Sequence, residues 1–359
     1  MTSQEQPIIE SDPHVVGSLG NEDNDDVDSI ADSASLRDST ASITSSILNY
    51  RTINGQKYQA SKTTEYWAPT DDQHVEGFDV AHHFTMMLLN DKLFSAPIVD
   101  NPQAILDVGT GTGIWAIDMA DEYPSAEVIG TDISAVQPDW VPPNCHFQID
   151  DAQLDWTFRP NYFDLVHTRY LYGAIDDWHK FYRQALTHLK PGGYFEHIDF
   201  DLETRSENPR FRDDPEHIFK KWAQLFFEAG DKVGRTFRWP VGGKHVEEMR
   251  KTGFVDVVHK QWKVPIGGWP RDPRLKKIGL YNGHYIDQSL EGYAVYPIGQ
   301  VLGWSFDEVT VLVSKMREAI RNPKSLPYLV VHGVYGRKPE DMVSPAPPPE
   351  KSPSRPTGN

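Results

Sequence analysis

Cysteine is nearly absent from this chain of 359 residues: Cys145 is the only one. A single thiol cannot build an intramolecular disulfide framework. There is no Asn-x-Ser/Thr acceptor, and no apolar run approaches the roughly 20 residues needed to cross a bilayer; "FTMMLL" (Phe84 to Leu89) is far too short. The opening "MTSQEQPIIE" lacks both the basic and the apolar region of a secretory signal. These absences predict an intracellular protein of the nucleus or cytoplasm, with no membrane insertion. Positive charge is scarce at one end. Over residues 1–50 ten acids face one base, which places more than half of the net charge of −17 there. The remainder is mildly acidic and has no basic stripe for a phosphate backbone, which argues against direct nucleic-acid binding. The cluster "RDPRLKK" (Arg271 to Lys277) is interrupted by Asp and Pro and reads as solvated surface.

What is present divides the chain. The acidic, Ser-rich head cannot bury enough apolar surface to offset its ordering entropy, so residues 1–45 are expected to be disordered. The Pro-rich stretch 339–359, with its Ser-Pro pairs, is expected to be a second flexible tail. Between the tails, short apolar or β-branched runs alternate with helical periodicity. "AILDVG" (Ala104 to Gly109), "EVIGTD" (Glu127 to Asp132), "CHFQID" (Cys145 to Asp150), "FDLVHT" (Phe163 to Thr168), "YFEHIDF" (Tyr194 to Phe200), "FVDVVHKQWKV" (Phe254 to Val264) and "YLVVHGVYGR" (Tyr328 to Arg337) give seven strands, the last a candidate antiparallel partner. The alternation predicts an α/β fold, a doubly wound and mainly parallel sheet.

In such a sheet ligands bind beyond the carboxyl ends of the strands, where the first strand meets its helix. There the chain reads "ILDVGTGTGIWAID". Gly109, Gly111 and Gly113 allow a tight turn, and with Thr110 they lay bare backbone against a ligand at a helix N-terminus. Asp132, with Ile133 beside it, closes the second strand, where a carboxylate accepts both hydroxyls of a ribose.

The glycine spacing alone fits a dinucleotide as well as S-adenosylmethionine. Three features favour S-adenosylmethionine. Asp107 sits inside the strand before the turn, awkward beside a pyrophosphate but suited to the cationic side of a sulfonium amino acid. Asp150, Asp151 and Ala152 end the third strand, where an acid meets an adenine amino group. "LKPGGYFEH" (Leu189 to His197) leaves a helix through Pro-Gly-Gly into the fifth strand, as in class I methyltransferases. A sulfonium carries an activated methyl group, so the protein must desolvate, align a nucleophile and, where needed, take a proton.

His167, Tyr170 and His197 fall near the expected transfer point as candidate base or orienting groups, although a histidine at a strand end is often a satisfied structural residue. "HTRYLYG" after the fourth strand is not the Asn/Asp-Pro-Pro-Tyr of amide and base-amine methylation. His74, His82 and His83 lack a completing Cys or carboxylate at ligand spacing, so no metal is expected. Residues 265–325 are dense in aromatics (Trp269, Tyr281, Tyr285, Tyr293, Tyr296, Trp304, Phe306), which either wall a substrate pocket or form the segment's own core. Trp67, Phe84 and Phe94 are candidates for a lid.

The segments "EYWAPTDDQ", "AHHF", "PQAILDVGTGTGIWAIDMADEYPSAEVIGTDIS", "QPDWVPPN" and "YRQALTHLKPGGYFEHIDFD", with the Ser/Asp-rich head, resemble the fungal LaeA-like methyltransferases over roughly residues 48–340. The chain departs from the family pattern at "DDQHVEGFDVAHH", where a Gly and several polar residues stand. The resemblance implies a class I methyltransferase (Rossmann-like) fold, S-adenosylmethionine as cofactor, and a role in regulating or tailoring secondary metabolism. It implies a small-molecule or protein methyl acceptor and regulatory protein partners; a partner protein that keeps the fold but acts through complexes is the alternative. The expected organisation is a lid over 46–100, a cofactor-binding core over 101–264, a cap insert over 265–325 and the final core strand over 326–338.

Overall fold

The computed structural model describes residues 6–17 and 50–342, apart from 62 and 65. Its elements in chain order are α1 (Pro13–Gly17), β1 (Tyr50–Ile53), β2 (Gln56–Gln59), α2 (Asp72–Leu88), β3 (Ala104–Val108), α3 (Ile114–Glu122), β4 (Glu127–Asp132), β5 (Cys145–Ile149), β6 (Phe163–Arg169), α4 (Trp178–His188), β7 (Leu189–Ser206), α5 (Pro209–Arg212), α6 (Ile218–Val233), α7 (Lys244–Thr252), β8 (Val255–Pro265), α8 (Pro273–Ala294), α9 (Phe306–Arg321) and β9 (Pro327–Arg337). Seven strands form one sheet in the order β5-β4-β3-β6-β7-β9-β8. β3 to β7 pair in parallel, and β9 runs antiparallel between β7 and β8. All seven coincide with the strands legible in the sequence.

β3 is buried along its whole length, so "AILDV" has no polar alternation to offer: it is the central strand of a sheet covered on both faces. Its neighbours lead away in opposite directions, β4 then β5 on one side and β6 on the other, which opens a crevice at their carboxyl ends. The departure at "DDQHVEGFDVAHH" does not break the helix. Asp71 caps α2 by accepting from the His74 amide at 3.0 Å, and Gly77 admits the Tyr285 ring, which would stand 3.3 Å from a Cβ there.

Three expectations change. The hairpin β1–β2 lies in a stretch with no strand expected; Asn54 (φ 47°) and Gly55 (φ 84°) both take positive φ, as an Asn-Gly turn between two strands requires. Part of the head is ordered: within residues 6–17 Ile9 is buried against Trp269 and Tyr328, and the Asp12 amide donates to the Trp269 carbonyl at 2.8 Å. The apolar "PIIE" run overrides the acidic composition around it; residues 18–49 and 343–359 lie outside the described part. The aromatics of 265–325 form a core. Trp269, Tyr285 and Tyr296 are buried, Tyr281, Tyr293 and Trp304 pack beside them, and Phe306 is exposed. Among the described residues no helix is long and apolar enough to cross a membrane.

Candidate active site

A cleft of about 1100 Å³, open to solvent, lies at the carboxyl ends of β3 to β6. Its wall comes from the turn after β3 (Asp107, Gly109, Thr110, Gly111, Thr112), the end of β4 (Asp132, Ile133, Ser134), the end of β5 (Asp150, Asp151, Ala152, Gln153) and the segment after β6 (Arg169, Tyr170, Leu171). Thr64, Tyr66, Thr70 and, from α2, Val75 and Phe78 close it from the N-terminal side.

The turn is held by backbone hydrogen bonds. Gly109 and Thr110 amides donate to the Thr131 carbonyl at 2.8 and 2.9 Å. Gly111, at φ 57°, donates its amide to Asp132 Oδ2 at 2.9 Å, while Asp132 Oδ1 accepts from Ser134 at 2.9 Å. Gln137 Nε2 spans the turn and the β4 loop, donating to the Gly111 and Ser134 carbonyls at 2.6 and 3.0 Å. Gly113 alone of the expected cofactor residues stays out of the wall. It caps α3 at φ 82°, and a Cβ there would stand 2.2 Å from the Phe147 ring, so its place is in packing.

The acids have distinct surroundings. Burial pushes the Asp132 carboxyl up to about 6, against the backbone donors of Ser134 and Gly111 that lower it. Asp151 accepts from the Gln153 amide through Oδ1 at 3.0 Å, whereas its Oδ2 is buried without a partner. Thr110 Oγ1 is likewise buried and unpartnered. Unmet acceptor and donor capacity in a cleft wall is costly without a ligand. Asp107, Asp132 and Asp151 thus stand together along this wall.

Of the three transfer candidates only Tyr170 reaches the cleft. His167 is buried beneath α3, its Nδ1 2.8 Å from Asp107 Oδ1 and its ring stacked 3.8 Å from Trp115; burial pushes its imidazole down to about 4. It therefore orients the Asp107 carboxylate. His197 is held between the Tyr182 hydroxyl and Asp199, each at 2.8 Å, and stacks on Trp178. Both are core histidines, His167 keeping a buried, unpartnered Nε2, because side chains alternate along a strand, and theirs point into the sheet's covering layers rather than off its end. Tyr170 takes φ 58°, and its hydroxyl meets Thr85 Oγ1 at 2.5 Å. Burial raises its phenol.

The lid also differs from expectation. Trp67 and Phe84 are buried in the core and Phe94 packs against another cluster; Tyr66 and Phe78 close the cleft instead. No residue of 265–325 lines it. That segment acts at one remove, α8 packing along α2 and so holding the lid helix. Arg169 and Gln153 went unnoticed in the sequence, since neither belongs to a short motif.

A methyltransferase-domain family model matches residues 80–259. Methyltransferase pytC of Aspergillus terreus is 36% identical over 304 residues, covering 83% of this chain and 91% of that protein. Secondary metabolism regulator LAE1 of Cochliobolus heterostrophus is 33% identical over 295 residues, covering 80% and 94%. Secondary metabolism regulator laeA of Aspergillus flavus is 30% identical over 293 residues, covering 80% and 77%. With the glycine turn, the acid after the second strand and these relatives in one chain, the protein belongs to the LaeA-like methyltransferases, class I enzymes whose methyl donor is S-adenosylmethionine.

Proposed function

We propose that the protein transfers the methyl group to an oxygen or nitrogen nucleophile, on a small molecule or a protein, in the regulation or tailoring of fungal secondary metabolism. The observation that carries the cofactor half is the pair of buried, unpartnered atoms in the wall, Asp151 Oδ2 and Thr110 Oγ1, beside the Asp132 carboxylate. Asp132 and Asp151 hold the adenosyl part, and Asp107, fixed by His167, faces the amino-acid end. The bound cofactor supplies a methyl group already activated by its sulfonium. The chain's task is then alignment and exclusion of water: Tyr66 and Phe78 cover the cleft, and Tyr170 and Arg169 stand where an acceptor enters. Among the described residues the wall holds no histidine, which favours an acceptor that arrives with a free lone pair or loses its proton to solvent or a wall carboxylate.

The relatives' names support a place in secondary metabolism, and a protein acting only through complexes is the competing reading. One experiment separates them. In a null strain, an Asp132→Ala allele should restore the metabolite profile no better than an empty vector, while calorimetry on the purified wild-type protein should detect both S-adenosylmethionine and its demethylated product. Full complementation by the variant, together with no detectable S-adenosylmethionine binding by the wild-type protein, would establish the partner reading.

A further inference from the structure

We infer that His245, His259 and His332 form a Zn²⁺ site, three strands away from the cofactor cleft, that fastens α7 to the β8–β9 edge of the sheet. The ligand-capable nitrogens of the three rings lie within 4.8 Å of one another. His259 Nε2 is 3.1 Å from His332 Nδ1, and the His245 ring stands nearly perpendicular to both others, its centroid 4.7 Å from that of His259 and 5.4 Å from that of His332. Three imidazoles from a helix and two strands thus converge on one point.

The hydrogen-bond state points to a ligand. His245 is buried, and neither of its ring nitrogens has a partner; His332 Nε2 is buried and unpartnered as well. Buried imidazole nitrogens normally find a donor or an acceptor, and here a shared electrophile would take one nitrogen of each ring, His259 Nε2, His332 Nδ1 and one of the two unpartnered nitrogens of His245. A neutral imidazole is the form that coordinates a metal.

The donor set selects the ion. Three neutral nitrogens suit Zn²⁺ over the hard, oxygen-seeking Mg²⁺ and Ca²⁺. Tetrahedral coordination with Zn–N near 2.0–2.1 Å places donors about 3.3 Å apart, within reach of a small rotation of the unbonded His245 ring. Gln261 Nε2 lies 3.5 Å from His332 Nδ1, so turning this amide over would present its oxygen to the ion. Charge is balanced nearby. Arg250 and Arg205 act on His259 and His332, but Arg205 is paired with Asp201 and Glu203, and Asp199, directly across from His332 on β7, keeps a buried, unpartnered Oδ1 on the same face.

The test uses the untagged full-length protein. Elemental analysis after growth with Zn²⁺ should give one zinc per chain, Zn²⁺ titration of chelator-treated protein should release heat and raise the melting temperature, and Co²⁺ should give the visible absorption of a four-coordinate, nitrogen-ligated ion. His245→Gln and His332→Gln should each lose the metal, and both should bind S-adenosylmethionine with unchanged affinity. Wild-type protein without zinc and without response to Zn²⁺ or Co²⁺ overturns the site, and so do variants that keep full occupancy. Should a variant fail to fold, the Co²⁺ spectrum of the wild type decides.

Discussion

Asp132 is the residue on which cofactor affinity turns. Its carboxylate is already oriented by two backbone amides, so it meets the ribose hydroxyls without reorganising. Asp132→Ala should cost about 1.5–3 kcal/mol of S-adenosylmethionine affinity, roughly 10- to 150-fold, read by calorimetry, and should also lower the melting temperature, because the Gly111 and Ser134 amides lose their acceptor. The same group sets a pH dependence. Burial raises it to about 6, and hydroxyl donors favour its ionised form, so binding must lower its pKa. Affinity should therefore rise with pH through 6 and level off above it, falling about tenfold per unit below. Near pH 6 the binding heat should vary with buffer ionisation enthalpy, because a proton is released. A flat profile from pH 5 to 7.5 would show another group accepting the ribose.

At the scale of elements, the turn between β3 and α3 separates ligand contact from packing. Gly111 and Gly113 look alike in the sequence, and both have positive φ, yet a Cβ at Gly111 would meet only Phe78, at 3.8 Å, whereas one at Gly113 would collide with Phe147. Gly111→Ala should carry a left-handed-backbone cost of about 1–2 kcal/mol and weaken cofactor binding by intruding on the cleft. Gly113→Ala should lower the melting temperature more, since the half-buried ring it strikes packs against a buried cluster. Thermal melts and calorimetry on the two variants check this, and equal melting temperatures would refute the division. The lid was expected over 46–100, but the dependence of its helix α2 on α8 was not legible, because Gly77 and Tyr285 meet only across more than two hundred residues.

For the molecule as a whole, the N-terminal segment belongs to the fold. Ile9 packs on Trp269 and Tyr328, Asp12 pairs with Lys276 at 3.2 Å and Glu10 with Arg271 at 3.6 Å, so the acidic head lands on the basic cluster that reads as mere surface. The pairs are exposed and salt-screened, and the apolar contact contributes more, about 1.5–3 kcal/mol for a well-buried isoleucine. Deleting residues 1–17 should lower the melting temperature by a few degrees at any ionic strength, because the lost term is mainly hydrophobic. Unchanged melting would mean that the segment rests on the surface without stabilising it.

Sequence by itself determined the sheet, its seven strands and the glycines and acids at the strand ends that line one side of the cleft, because these depend on local pattern: apolar runs of strand length, a glycine turn, and acids at strand ends. The wall residues it supplied, from Asp107 through Ala152, fall within 46 positions of one another. Tertiary structure decided what lies between distant segments. It turned His167 and His197 from candidate bases into core residues, since a strand's period fixes alternation but not which face meets the ligand. It placed Tyr66 and Phe78 over the cleft in preference to Trp67 and Phe84. It also brought His245, His259 and His332 together, 87 residues apart at their extremes, through the antiparallel pairing of β8 with β9 and the packing of α7 above them. No spacing rule along the chain encodes such a cluster, because its members share a point in space and no local motif.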